Sequence, residues 1–231
     1  MQRTPLSLCG LAAFLSGVPV IIRIPQITQF DSLPRFEGLA LDRIVTPATP
    51  EAFRQAVEEI LCHSKIGFDT ESKPTFKVGE ISSGPHLIQF ATPQKAYLFQ
   101  VGTPGAVEAA RQVLEAEQVL KIGFGLASDR SRLRTRLGIE LRHSLDLGST
   151  LRYQGKKGQV GLRGAVAAVL GVGISKSRSV STSNWANNNL SCAQQRYAAN
   201  DAYAALMVFL ALEMQSNTSC LVPVTRPLET S

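Results

Sequence analysis

Two acidic residues, Asp69 and Glu71, interrupt an apolar segment of the chain, and this limits how the segment can be buried. The segment KIGFDTE, residues 65–71, has the character of a β-strand. Strand side chains alternate between faces, so Asp69 and Glu71 share one face. Like charges so close repel each other, and burial of the strand adds to the cost of charging them. The strand must therefore end at Asp69 with both acids in solvent, or a bound cation must neutralise the pair.

Two further segments carry side chains that can meet this pair. Tyr197 and Asp201 lie one helical turn apart in an Ala-rich stretch, and Asp129 begins a predicted amphipathic helix. Taken singly, each has an ordinary explanation, since Asp129 can cap its helix and the other two can pack. Together the three segments supply four acids and one phenol. This is the ligand inventory of a two-metal site that cleaves phosphodiesters.

Apolar patterning along the chain predicts alternating strands and helices. We expect a mixed central β-sheet flanked by α-helices, an α/β fold, because strands and helices interleave along the chain. The predicted strands are residues 41–47, 65–71, 86–92, 95–101, 119–125 and 143–151. The predicted helices are residues 50–62, 107–116, 128–137, 162–171 and 191–214.

Positive charge is concentrated in the second half of this domain. The net charge is +6, and residues 121–200 hold thirteen of the 24 Lys and Arg but three of the 18 Asp and Glu. A basic region on a chain that also has an acidic cluster favours a polyanionic partner, although a solvated basic surface has the same composition. The three His and the lack of any Cys-x-x-Cys pair argue against a zinc site.

The order and spacing of FDTES, KIGFGLASD and YAAND resemble the three motifs of the DEDDy 3′→5′ exonuclease superfamily. This superfamily includes ribonuclease D and the Werner syndrome exonuclease domain. The resemblance covers residues 44 to 213 and implies a ribonuclease H-like fold. It departs from many relatives at Phe124, where they carry His, and at Ser72, where they carry an aromatic residue. The resemblance implies that the catalytic residues are Asp69, Glu71, Asp129, Tyr197 and Asp201.

The resemblance also implies the chemistry. The four acids would bind two Mg²⁺ or Mn²⁺ ions, and Tyr197 would orient the attacking water. The reaction would remove nucleoside 5′-monophosphates from the 3′ ends of DNA, RNA or both. The alternative is a non-catalytic nucleic-acid-binding module on the same fold. The expected nucleic-acid contacts are Arg130, Lys156, Lys157, Lys176, Arg178 and Trp185.

A dinucleotide-binding fold is a second rival. The segment from Ile122 to Gly125 follows a predicted strand, precedes a helix, and is followed about twenty residues later by Asp146. The third glycine of that fingerprint is missing, and arginines crowd the helix start. We therefore favour the exonuclease.

The chain ends suggest a domain with short extensions. We expect a disordered or over-long N-terminus over residues 1–26, the exonuclease domain over 27–215 and a flexible tail over 216–231. The uncharged run at residues 5–22 has the outline of a signal peptide or anchor, but prolines and glycines break it and it barely reaches spanning length. We therefore expect a stand-alone cytoplasmic nuclease that does not bind membranes.

Overall fold

A mixed six-stranded sheet forms the centre of the protein in the computed structural model, which describes residues 21–75, 83–175 and 177–219. The strands are β1 (Ile22–Ile24), β2 (Ile44–Val45), β3 (Lys65–Glu71), β4 (Leu87–Ala91), β5 (Ala96–Gln100), β6 (Leu120–Gly123), β7 (Ser144–Asp146) and β8 (Leu151–Tyr153). The strand order in the sheet is β2-β5-β4-β3-β6-β7. Strands β3, β4 and β5 form an antiparallel meander. Strand β2 pairs in parallel with β5, and β6 and β7 extend the sheet in parallel from β3.

Helices cover both faces of this sheet, which confirms the predicted fold class. A short 3₁₀ turn (Leu41–Arg43) precedes β2. The helices are α1 (Pro50–Leu61), α2 (Ala106–Glu115), α3 (Leu126–Arg132, continued by a π-helical segment Leu133–Leu137), α4 (Leu147–Thr150), α5 (Leu162–Ala165, continued by a π-helical segment Val166–Leu170), α6 (Arg178–Ser181) and α7 (Cys192–Ser219). Thr49 caps α1, because its hydroxyl accepts a hydrogen bond from the Ala52 amide at 3.2 Å.

Strand β3 is central, and its two faces have different partners. Ile66 and Phe68 are fully buried in the cluster that packs under α1 and α2. Gly67 lies on the opposite face, against α7: a Cβ atom at this position would lie 1.9 Å from the carbonyl oxygen of Ala202. Only glycine allows this approach, so the face of β3 that carries Asp69 and Glu71 is covered by the helix that carries Asp201.

Ordered structure begins earlier and ends later than the predicted boundaries. Strand β1 lies inside the segment 1–26 that we expected to be disordered or over-long, and it pairs in parallel with β8. Ile22 and Ile24 are buried while Arg23 between them is exposed, so a three-residue alternation is enough to anchor the strand. At the other end, α7 continues to Ser219, into the segment predicted as a tail. The remaining residues of both segments, 1–20 and 220–231, lie outside the described part of the chain.

The segment predicted as one strand over residues 143–151 is divided into three elements. Asp146 ends β7, and its carboxylate accepts a hydrogen bond from the Gly148 amide at 2.9 Å. This capping bond begins the single turn α4, after which β8 leaves to pair with β1. In residues 21–75, 83–175 and 177–219, we find no helix with the length and apolar character to span a bilayer.

Candidate active site

Three carboxylates from two elements converge at the end of β3. Asp69 and Glu71 extend from β3, and Asp201 extends from α7, which packs across the same face of the sheet. Each offers one oxygen, and these oxygens all lie within 4.8 Å of one another. Asp201 is 6% exposed, and the other two are partly buried. The structure thus brings together three of the four predicted acids.

Asp129, the fourth predicted acid, is connected to strand β3 by a hydrogen bond from Thr70. It lies in the first turn of α3, is buried, and accepts a hydrogen bond from the hydroxyl of Thr70. Thr70 stands between the two acids of β3, so its side chain points to the opposite face from theirs. The Thr70 amide also donates to the Asp69 carboxylate at 2.9 Å. Thr70 therefore links Asp129 to Asp69, a role that the sequence analysis did not assign to it.

Asp146 holds the start of the helix that carries Asp129. Its carboxylate accepts hydrogen bonds from the backbone amides of Gly125 at 2.9 Å and Leu126 at 3.0 Å. The same carboxylate accepts the Gly148 amide, so three backbone donors surround it. The dinucleotide alternative would require this carboxylate to bind a ribose; here it caps α3 and begins α4.

Tyr197 lies one turn before Asp201 on α7, so both side chains face the β3 acids. The ring of Trp185 packs against it, with 6.0 Å between ring centroids and an interplanar angle of 46°. The Trp185 indole nitrogen donates to the carbonyl oxygen of Ser181 at 3.2 Å. The phenol is thus placed by α6 and the segment after it as well as by its own helix.

Burial and mutual repulsion set the charge state of the site. Burial raises the pKa of Asp69 well above its ordinary 3.8, and the charges of Asp201, Asp129 and Glu71 raise it further. Burial likewise raises the pKa of Asp129, although the hydrogen bond from Thr70 opposes this. A bound divalent cation would reverse the penalty on these carboxylates, and carboxylate oxygens are ligands that Mg²⁺ and Mn²⁺ prefer. The residues therefore fit a hard cation.

Burial and the neighbouring carboxylates also change the pKa of the Tyr197 phenol. Burial raises the pKa of Tyr197 above its ordinary 10.0, and the charges of Asp201, Glu71 and Asp69 raise it further. A hydrogen bond with the Ser181 side chain opposes the shift. Tyr197 therefore stays a neutral phenol that can donate a hydrogen bond at neutral pH.

The predicted nucleic-acid contacts occupy different environments. Lys156, Lys157 and Arg178 are exposed, and Lys176 lies outside the described residues. Arg130 is exposed, but its guanidinium donates to the Leu141 carbonyl at 2.7 Å and the Ser144 hydroxyl at 2.8 Å.

Trp185 differs from these basic residues. It is 1% exposed, so in this structure it offers no face on which a base could stack. Its ring packs against Tyr197 instead. Little in the local sequence distinguishes the two roles, because a single aromatic residue in a polar segment suits both.

Comparison with known proteins identifies the family of enzymes to which this chain is similar. The family model for a 3′-5′ exonuclease domain matches residues 44–217. The mouse bifunctional 3′-5′ exonuclease/ATP-dependent helicase WRN is 30% identical over 156 residues, which cover 67% of this chain and 11% of that protein. The matched segment is thus a small part of that relative.

Solved structures confirm the ribonuclease H-like fold. The EXO domain of Aedes aegypti Nibbler matches with a TM-score of 0.67 and 26% identity, covering 80% of this chain and 94% of that one. Escherichia coli RNase D matches with a TM-score of 0.61 and 19% identity, covering 78% of this chain and 47% of that one. The family model spans most of the chain and includes all four acids and Tyr197. The chain belongs to the 3′-5′ exonuclease family.

Proposed function

We propose that this protein is a divalent-metal-dependent 3′→5′ exonuclease that releases nucleoside 5′-monophosphates from the 3′ ends of DNA, RNA or both. The observation that carries the proposal is the meeting of Asp69, Glu71 and Asp201 oxygens within 4.8 Å in a partly buried site. Such a cluster is costly without a cation, because each carboxylate raises the energy of charging the next. Family membership supplies the reaction class.

The acids have separate tasks in this proposal. Asp69, Glu71 and Asp201 would hold one Mg²⁺ or Mn²⁺ ion, and Asp129 with Asp69 would hold a second. When bound, such ions stabilise the charge on the attacking and leaving oxygens of a phosphodiester. The hydrogen bond from the Thr70 hydroxyl would hold the Asp129 carboxylate in one orientation.

Tyr197 would orient the attacking water. Its neutral phenol can hydrogen-bond the water, and the Trp185 ring restricts where the phenol points. The leaving group is the 3′-oxygen of the penultimate nucleotide. The neutral phenol would orient the water through a hydrogen bond, and it could take a proton from the water only if the bound cations lower the pKa of the water or of the phenol.

The basic surface would bind the phosphate backbone. Lys156, Lys157 and Arg178 are exposed, which suits contacts that position a strand without reading its sequence. Lys176 and Arg130 are candidates for the same role. Arg130 would contact phosphate with whatever part of its guanidinium the two intramolecular bonds leave exposed.

A product analysis tests the proposal. Single-stranded DNA, recessed duplex DNA and structured RNA, each labelled at the 5′ end, are incubated with protein and Mn²⁺. We expect a ladder of shortened labelled strands, release of nucleoside 5′-monophosphates, and no reaction in EDTA. A ladder that persists in EDTA, or cleavage of circular single strands, contradicts the proposal. Tight binding of all substrates without any cleavage favours the non-catalytic alternative.

A further inference from the structure

Gln89 occupies the position directly across from Asp69 in the sheet. In the antiparallel pair of β3 and β4, Asp69 is the register partner of Gln89. Directly opposite residues project to the same face, with Cβ atoms about 4.5–5.5 Å apart. The neighbours of Gln89 on that face, Leu87 and Ala91, are buried in the cluster that includes Ala198 and Ala202 of α7. Gln89 therefore lies between the sheet and the helix that carries Asp201.

The Gln89 side chain is buried and lacks a hydrogen-bond partner among the described residues. It is 0% exposed, and neither its amide nitrogen nor its amide oxygen is bonded within that part of the chain. Buried polar groups in native proteins are nearly always hydrogen-bonded, because an unpaired one carries the full cost of desolvation. A Leu or Met at this position would pack without that cost. The carboxamide needs another explanation.

A second buried glutamine shows what a structural role looks like. Gln194 is 7% exposed, and its oxygen accepts from the Ser191 amide at 3.0 Å. Its amide nitrogen donates to the Ser183 hydroxyl at 3.0 Å. Both ends of that carboxamide hold the start of α7 in place. Gln89 has no comparable contacts in the described structure, and the polar side chain opposite it is a carboxylate, which accepts hydrogen bonds.

We propose that Gln89 is a positioning residue, whose amide group donates a hydrogen bond to the Asp69 carboxylate when that carboxylate binds a divalent cation. The bond holds Asp69 in the orientation that coordinates the cation. Hydrogen bonds from outer residues orient metal-binding carboxylates in this way, and their loss costs metal affinity. This inference rests on the proposed cation site. It explains the presence of a buried amide where an apolar side chain would pack without the cost of desolvation.

Metal affinity and the stability of the metal-free protein separate this role from a structural one. Gln89→Met keeps the length and approximate volume of the side chain but removes both polar atoms. Gln89→Asn keeps the amide and withdraws it by one methylene, and Gln194→Met is the matched control. Mn²⁺ binding is measured by isothermal titration calorimetry, thermal unfolding is measured in EDTA, and kcat is measured over a range of Mn²⁺ concentrations.

We expect Gln89→Met to raise the Mn²⁺ dissociation constant by about ten- to a hundredfold. Its melting temperature in EDTA should stay the same or rise, and excess Mn²⁺ should restore much of kcat. Gln89→Asn should also bind Mn²⁺ more weakly. Gln194→Met should show the opposite pattern, a lower melting temperature in EDTA with Mn²⁺ affinity largely retained, because its structural bonds are lost.

Several outcomes would overturn the inference. If Gln89→Met binds Mn²⁺ as the wild type does, or unfolds at a clearly lower temperature in EDTA, Gln89 is a structural residue. Unchanged Mn²⁺ affinity in Gln89→Asn, measured alongside, leads to the same conclusion even where Gln89→Met folds poorly. These results leave the exonuclease proposal intact. If the wild type itself binds no Mn²⁺, the proposed cation site fails, and this inference fails with it.

Discussion

The ring of Trp185 packs against the ring of Tyr197, with 6.0 Å between their centroids, although the two residues lie on different elements. The Trp185 indole is in turn bonded to the backbone of Ser181 in α6. The position of the phenol therefore depends on a segment outside α7. In the proposed mechanism this contact fixes the direction of the Tyr197 hydroxyl with respect to the water.

Tyr197→Phe tests whether the hydroxyl acts on the water. Removal of one oxygen leaves the ring and its contact with Trp185, so stability should change little. We expect kcat to fall by about 10²- to 10⁴-fold, the range for a positioned proton-handling group, with KM nearly constant. Steady-state kinetics on a labelled single strand measures both. Full kcat in the variant means that Tyr197 is a packing residue, and an effect on KM alone makes it a substrate contact.

Gly67→Ala tests the close approach of α7 to β3. The added Cβ would lie 1.9 Å from the Ala202 carbonyl oxygen, so the helix or the strand must shift. We expect a loss of about 1–3 kcal/mol in the free energy of unfolding and a larger relative loss of activity, because Asp201 moves away from Asp69. Gly102→Ala is the control, since nothing lies within 4 Å of its added Cβ. Urea unfolding of both variants gives the comparison; equal stabilities contradict the packing account.

The raised pKa of Asp69 predicts how the stability of the metal-free protein varies with pH. A carboxyl whose pKa is raised on folding favours the folded state while it is protonated, and this contribution is lost as pH rises through the folded-state pKa. In EDTA, the wild type should therefore lose stability relative to Asp69→Asn as the pH rises above about 4, the pKa of an unfolded Asp. Added Mn²⁺ should reverse the trend. A difference that is independent of pH argues against a raised pKa at Asp69.

The exposed lysines Lys156 and Lys157 should bind phosphates. We expect the double replacement Lys156→Ala, Lys157→Ala to raise KM and to reduce the slope of log KM against log salt by about 1–2. The exposed Arg54, on α1, is a control that should leave the slope unchanged when replaced by Ala. KM is measured for the wild type and both variants at several salt concentrations. Equal slopes in all three proteins would mean that the two lysines are solvated and do not contact phosphates.

Much of this architecture can be predicted from local patterns. Apolar alternation locates β3 at Lys65–Glu71, and Thr49 with Pro50 marks the start of α1, because these signals depend on neighbouring residues alone. Strand periodicity pairs Asp69 with Glu71, and helix periodicity pairs Tyr197 with Asp201. The resemblance to the exonuclease motifs then predicted that the two pairs meet.

Contacts between distant segments could not be predicted in the same way. The hydrogen bond from Thr70 to Asp129 joins residues 59 apart, and the sequence gives no local sign of it. Strand β1 is three residues long, and its partner β8 lies more than a hundred residues away. The burial of Trp185 likewise depends on how α6 folds onto α7.

Binding of Mn²⁺ to the carboxylates is the most direct test of the account, because it asks whether the three acids form a cation site before any chemistry occurs. Isothermal titration calorimetry compares the wild type with Asp69→Asn and Asp201→Asn, and the exposed acid Glu51→Gln is the control. We predict that the wild type and Glu51→Gln bind Mn²⁺ alike. The two site variants should fold but lose more than about a hundredfold in affinity, beyond the effect of losing an outer hydrogen-bond partner. Equal Mn²⁺ affinity in all four proteins, or no binding to the wild type, would contradict the proposed site.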